Sequence, residues 1–128
     1  MREASSSADV RRRPTLTELR GALWAARSVR SARRQLRRSG YEGIALPPVP
    51  ALPVSASRGV EAVLRRLSPT CLERAVVLQR WRAAHGDPRA IVVGVRGTGK
   101  EFRAHAWLDD ERPSQGEPEY SELVRLGP

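Results

Sequence analysis

A single cysteine, a single lysine, two histidines and an aromatic content of 5% leave this chain of 128 residues short of several chemistries. Cys71 on its own can form neither an internal disulfide nor a cysteine-rich zinc site. No apolar run approaches the ~20 residues that span a bilayer, so no membrane role is expected. The opening Met1-Arg2-Glu3-Ala4-Ser5-Ser6-Ser7 has no apolar stretch after its charge and is not a secretory signal. These absences give a cytoplasmic address as the expectation. Acidic charge is also scarce, and the formal net charge is +9, carried by arginine because Lys100 is the only lysine. Such a surplus suits an acidic partner, nucleic acid or a membrane surface. Arginine-rich codon usage in a GC-rich genome produces the same bias, so charge alone does not decide function.

The length suggests one domain with a modest core. Residues 1–13 are polar and Ser-rich and end in Arg11-Arg12-Arg13, with too little apolar surface to fold, which reads as a disordered tail. Residues 14–40 form a basic helix. Thr15 and Glu18 have capping-box spacing, Leu16, Leu19, Leu23 and Ala26 make one apolar stripe, and Gly40 is a stop. Residues 41–56 hold Leu46-Pro47-Pro48-Val49-Pro50-Ala51-Leu52-Pro53, whose prolines exclude helix and favour an extended linker across the surface of the remainder.

Residues 57–128 carry the candidate catalytic core. Ser57 can cap a short helix with Val60, Val63, Leu64 and Leu67 on its inner side. The next helix starts near Ser68-Pro69-Thr70-Cys71. Either Ser68 caps it with Pro69 at the first helical position, or Thr70 caps it with Glu73 completing a capping box. Both choices put Cys71 in the first turn, and the helix then runs to Gly86. Ile91-Val92-Val93-Gly94-Val95 is a buried apolar run, Gly97-Thr98-Gly99-Lys100 a loop. Phe102, Ala104, Ala106 and Leu108 alternate with Arg103, His105, Trp107 and Asp109 as a half-buried strand. A short strand near 115–119 and a last segment from Tyr120 to Leu126 follow. Helices first and antiparallel strands afterwards make an α+β domain.

A first-turn cysteine lies beside unpaired backbone N–H groups and the positive end of the helix dipole. Both favour the reactive thiolate, and the same N–H groups can hold an oxyanion. A lone cytosolic cysteine is more often a small core residue, but a strand histidine downstream changes the balance. His85 lies fourteen residues along the same helix, about 20 Å away at ~1.5 Å per residue, out of reach for proton transfer. It reads instead as a C-terminal residue favourable to the dipole. His105 is then the only histidine that can reach Cys71. A histidine base needs a third group to fix its tautomer, and the candidates are Asp109, Asp110, Glu111, Glu117 and Glu119. Asp109 is about 13 Å along the same strand. A hairpin turning about residue 111 would set His105 opposite position 117, with cross-strand Cβ atoms ~5 Å apart. Glu117 is therefore the first choice and Glu119 the second, against the alternative that Glu117 is an ordinary solvated acid.

Cys71-Leu72-Glu73-Arg74-Ala75, Ile91-Val92-Val93-Gly94-Val95-Arg96 and Phe102-Arg103-Ala104-His105-Ala106-Trp107-Leu108 resemble, in order and spacing, the leader peptidases of lasso-peptide biosynthesis. These are minimal transglutaminase-like, papain-related cysteine proteases. The resemblance covers roughly residues 57–126. It matches the family nucleophile to Cys71 and its histidine to His105, and puts Glu117 where the family usually has Asp. It implies a papain-like core, no cofactor and no metal. It also implies removal of the leader from a ribosomally made precursor through a thioester. A separate leader-binding protein and an ATP-dependent macrocyclase are the implied partners.

Two other signals point elsewhere. Gly94 to Lys100 contains a GxxxxGK pattern. Glu101 stands where a phosphate loop has Ser or Thr, and a strand rather than a helix follows, so a hairpin loop explains the glycines. The arginines from Arg27 to Arg38 could contact nucleic acid, but base-stacking aromatics are absent there. A solvated face, or a dock for an acidic leader or partner, fits better. The competing function class is a non-catalytic basic binding module or scaffold.

Overall fold

The computed structural model describes residues 13–41, 43–111 and 120–127. Three helices precede three strands: α1 (Leu16–Ser39), α2 (Ser57–Leu67), α3 (Cys71–Ala84), β1 (Ile91–Arg96), β2 (Arg103–Leu108) and β3 (Ser121–Leu126). The helices pack on a small antiparallel sheet, the α+β arrangement expected from the order of patterns. The proposed tail falls outside the described residues as far as residue 12, and the strand proposed near 115–119 lies outside them too.

The Thr15–Glu18 capping box forms: the Thr15 side chain accepts from the Glu18 N–H at 3.2 Å, and the Glu18 carboxylate accepts from the Thr15 N–H at 3.1 Å. Gly40, at φ 75°, ends α1. The helix buries Gly21, Trp24, Ala25, Ser28, Val29 and Ala32, while Leu16, Leu19 and Leu23 of the apolar stripe face solvent. Gly21 and Gly59 decide this. At Gly59 a Cβ would run into the Glu18 carbonyl, and at Gly21 one would lie 2.8 Å from the Ala56 carbonyl oxygen. Close backbone approach through a small-residue face outweighs burial of three leucines.

The proline-rich segment is part of the core. Leu52 is buried with Trp24, Val60, Val77 and Trp81, and Ile44 with Ala75, Val76, Ile91 and Leu108. The Trp24 indole N–H donates to the Pro47 carbonyl at 2.9 Å, so the segment is tied to α1 without regular structure. Ser57 is the first residue of α2, its hydroxyl bonded to the Val54 carbonyl at 2.7 Å. Ser68 ends α2 in the left-handed region at φ 47°, which leaves Thr70 to cap α3.

The strand order is β2-β1-β3, with both pairings antiparallel. Among the described residues β2 is bonded to β1 alone and β3 takes the other side of β1; the hairpin expected to set residue 117 opposite His105 lies outside them. Gly97 and Gly99, both at positive φ, shape the 97–102 loop that closes the β1–β2 hairpin. Placing β1 in the middle gives the most apolar strand a neighbour on each flank. Ile91 pairs with Leu108 on one side and Leu126 on the other, next to a buried cluster that includes Ala75 and Val76 of α3. The helix lies chiefly against β2. Among the described residues no helix is long and apolar enough to cross a membrane.

Candidate active site

Cys71 is the first residue of α3, and two capping bonds hold that turn in shape. The Thr70 hydroxyl accepts from the Glu73 N–H at 3.2 Å, and the Glu73 carboxylate accepts from the Thr70 N–H at 3.0 Å. The Thr70 carbonyl accepts from the Arg74 N–H at 2.9 Å. With the third and fourth N–H groups of the turn engaged, those of Cys71 and Leu72 donate to nothing among the described residues. They remain the donors that a helix start offers an anion. The thiol is half-buried and packs beside the cluster formed by Ala75, Val76, Ala106 and Leu108.

Arg33 of α1 supports this end of the helix. Its Nε donates to the Glu73 carboxylate at 3.2 Å and its Nη2 to the Leu67 carbonyl at 3.4 Å. Glu73 is buried, and a carboxylate buried next to a helix start needs such a counter-charge. Forty residues separate the two in sequence, and no local pattern announces the pair.

His105 sits at the middle of β2, opposite Gly94 of β1. Strand alternation turns Ala106 and Leu108 toward α3 and the imidazole to the other face. There it stacks with Trp107 at 5.6 Å between ring centroids and lies tilted against Tyr120 at the same separation. Arg96 lies 5.1 Å over the Tyr120 ring, and its Nε is buried without a partner among the described residues. A Cβ at Gly94 would lie 2.7 Å from the Trp107 ring and 2.9 Å from the Tyr120 Cβ, so glycine there lets the aromatic group close over the strand. Alternation in the sequence put Trp107 on the strand face of His105, whereas Tyr120 and Arg96 were given no place at the site.

The structure thus sets the lone cysteine at the start of a helix that packs on the histidine's strand. It does not bring the two side chains into hydrogen-bond contact. Among the acids, Glu117 and Glu119 lie outside the described residues. Asp109 is exposed, 3.6 Å from Arg89. Asp110 accepts from Arg82 at 3.1 Å. Glu111 accepts from Arg74 at 3.2 Å and from the Leu108 N–H at 3.1 Å. None of these three is bonded to His105.

His85 ends α3 at the opposite end from Cys71. Its Nδ1 lies 2.8 Å from the Trp81 carbonyl oxygen and its Nε2 2.9 Å from that of Leu52, a structural tie between the helix end and the proline-rich segment. No group of three or more His, Cys, Asp or Glu among the described residues is placed to hold a metal ion.

The family model of the transglutaminase-like superfamily matches residues 8–125. The chain belongs to the transglutaminase-like superfamily. The match takes in α1 and the proline-rich segment together with the helix and strands of the candidate site, in keeping with a core that spans all of them. Domains of this superfamily are typically cysteine proteases or acyltransferases. No curated protein and no solved structure matches the chain significantly.

Proposed function

We propose that this transglutaminase-like domain is a cysteine peptidase in which Cys71 is the nucleophile and His105 its base and acid. We further propose that its substrate is the leader–core junction of a ribosomally made lasso-peptide precursor. The observation that carries the proposal is Cys71 at the first position of a box-capped helix, beside two backbone N–H groups with no partner among the described residues. Superfamily membership and the ordered blocks around Cys71, Gly94 and His105 support it.

The chemistry is acyl transfer. The Cys71 thiolate attacks the scissile carbonyl, and the resulting oxyanion is held by helix-start N–H groups. His105 protonates the departing amine as the C–N bond breaks and the thioester forms. Water, losing a proton to His105, then hydrolyses the thioester and frees the leader and the thiol. No cofactor enters these steps. Glu117 is the proposed orienter of the imidazole. The freed core amine would pass to a separate ATP-dependent macrocyclase, and a separate leader-binding protein would present the precursor, all in the cytoplasm.

His105 must approach Cys71 for this to work. Catalytic hydrogen bonds commonly tighten only in the substrate complex. The packing of His105 against Trp107 and Tyr120 favours a second function class, a catalytically silent scaffold in the same maturation complex.

Iodoacetamide labelling of Cys71 across pH 5–9 separates the two, run with precursor peptide and leader-binding protein present. A catalytic pair gives labelling and leader removal that both change in His105→Ala, with leader removal abolished in Cys71→Ala. An identical labelling profile in His105→Ala, with no leader removal by the wild type, would establish the scaffold.

A further inference from the structure

We infer that the solvent face of α1 is a docking surface for an acidic amphipathic segment of a partner protein. The one-sided division of that face carries the inference. Leu16, Leu19 and Leu23 are exposed to 73%, 52% and 54% and follow one another at helical spacing along the first two turns. On the same face the next turns present Arg27, Arg30, Arg34 and Arg38, all exposed. None of these arginines has an acidic partner among the described residues, whereas Arg33 on the flank is paired with Glu73. A helix of 24 residues runs about 36 Å, so the apolar half and the cationic half are each two to three turns long.

Neither half is explained by the fold. Arginines in the last turn of a helix complement its dipole, but Arg27, Arg30 and Arg34 come before that turn. The three leucines pack into neither buried cluster. Beside them a concave groove of about 290 Å³ is lined by Arg20, Leu23, Trp24, Arg27 and the prolines Pro47, Pro48 and Pro50. It would seat one apolar side chain from an occupant lying along the leucines.

Charge complementarity selects the occupant. An apolar stripe continued by unpaired arginines matches a segment with apolar residues at one end and carboxylates at the other. The chain's own first twelve residues are a poor match, with Arg2, Arg11 and Arg12 against Glu3 and Asp9. A second copy, carrying the same +9, is repelled. Nucleic acid would use the arginines but has no use for aligned leucines, and the face lacks aromatics for base stacking. The inference does not depend on peptidase activity.

The test is fluorescence anisotropy with the full chain and a labelled synthetic peptide. The peptide carries leucines along one half of a helical face and glutamates along the other. Saturable binding is expected, weakened by added salt and weakened at least about tenfold by Leu19→Ser with Leu23→Ser and by Arg30→Glu with Arg34→Glu. All four positions are exposed, and far-UV circular dichroism confirms that the variants stay folded. Absence of binding, or equal affinity in both double variants, overturns the inference. So does polyglutamate binding as tightly as the peptide, or duplex DNA binding through the arginines while the peptide does not. Dimerisation abolished by the leucine variant would assign the face to a second copy and overturn it as well.

Discussion

Thr70 and Glu73 hold each other's backbone across the first turn of α3, each side chain accepting from the other's N–H, with Cys71 between them. The carboxylate of Glu73 also receives Arg33, so one buried acid joins the cysteine helix to α1. Replacing a capping side chain with alanine typically costs about 1 kcal/mol. Thr70→Ala is expected to lose roughly that much. Glu73→Ala is expected to lose about 1–2 kcal/mol, because it removes a cap and leaves Arg33 without its partner. Urea denaturation followed by circular dichroism measures both. Unchanged midpoints in the two variants would show that the turn is held by packing alone.

Acid should dissolve a second tie, at the other end of α3. Arg82 bridges Asp87 and Asp110, and Arg89 adds a bond to Asp87 at 2.9 Å. The hydrogen bond from Arg82 is the main cause that holds both carboxyl groups below their ordinary value, and each arginine is correspondingly raised. A depressed carboxylate contributes its full stability above the unfolded aspartate value of about 3.9. That contribution is lost as pH falls through the lower folded value. The gap in urea midpoint between wild type and Arg82→Gln should therefore be present at pH 7 and shrink as pH falls below the ordinary aspartate value of about 3.9. A gap of the same size at both pH values would mean that the guanidinium acts through its packing, not its charge.

The local parts of the fold were legible because their causes are local. Thr15–Glu18 and Thr70–Glu73 are spaced as capping boxes, and both form. Gly40 ends its helix, and the alternation from Phe102 to Asp109 marks a half-buried strand, with Ala106 and Leu108 inward and Phe102 and Ala104 exposed instead. Legibility ended where two distant segments decide the outcome. The leucine stripe of α1 shows apolar periodicity but not which face wins. Gly59 settles that from another helix, by letting the backbones approach. The glycine loop at 97–99 pointed to the β1–β2 hairpin that forms, but which strand takes the other edge of β1 depends on a distant segment, Ser121–Leu126. At the site, the position of Cys71 followed from its own capping residues. The orientation of His105 followed from alternation along its strand and from a tyrosine fifteen residues later.

Gly59 offers a direct check on that explanation. As an isolated helical residue it should be improved by alanine, by about 1 kcal/mol of helix propensity. Here a Cβ would collide with the Glu18 carbonyl, a backbone atom that cannot rotate away. Forcing extra volume into such a contact costs roughly 1–3 kcal/mol, so Gly59→Ala is expected to destabilise despite the propensity gain. Gly21→Ala, whose Cβ would stand 2.8 Å from the Ala56 carbonyl oxygen, should lose less. Both are read from urea midpoints, with tryptophan fluorescence reporting on Trp24 and Trp81 at the same interface. If Gly59→Ala proved more stable than the wild type, the two helices would not be held together by close backbone approach. The outward facing of Leu16, Leu19 and Leu23 would then need another cause.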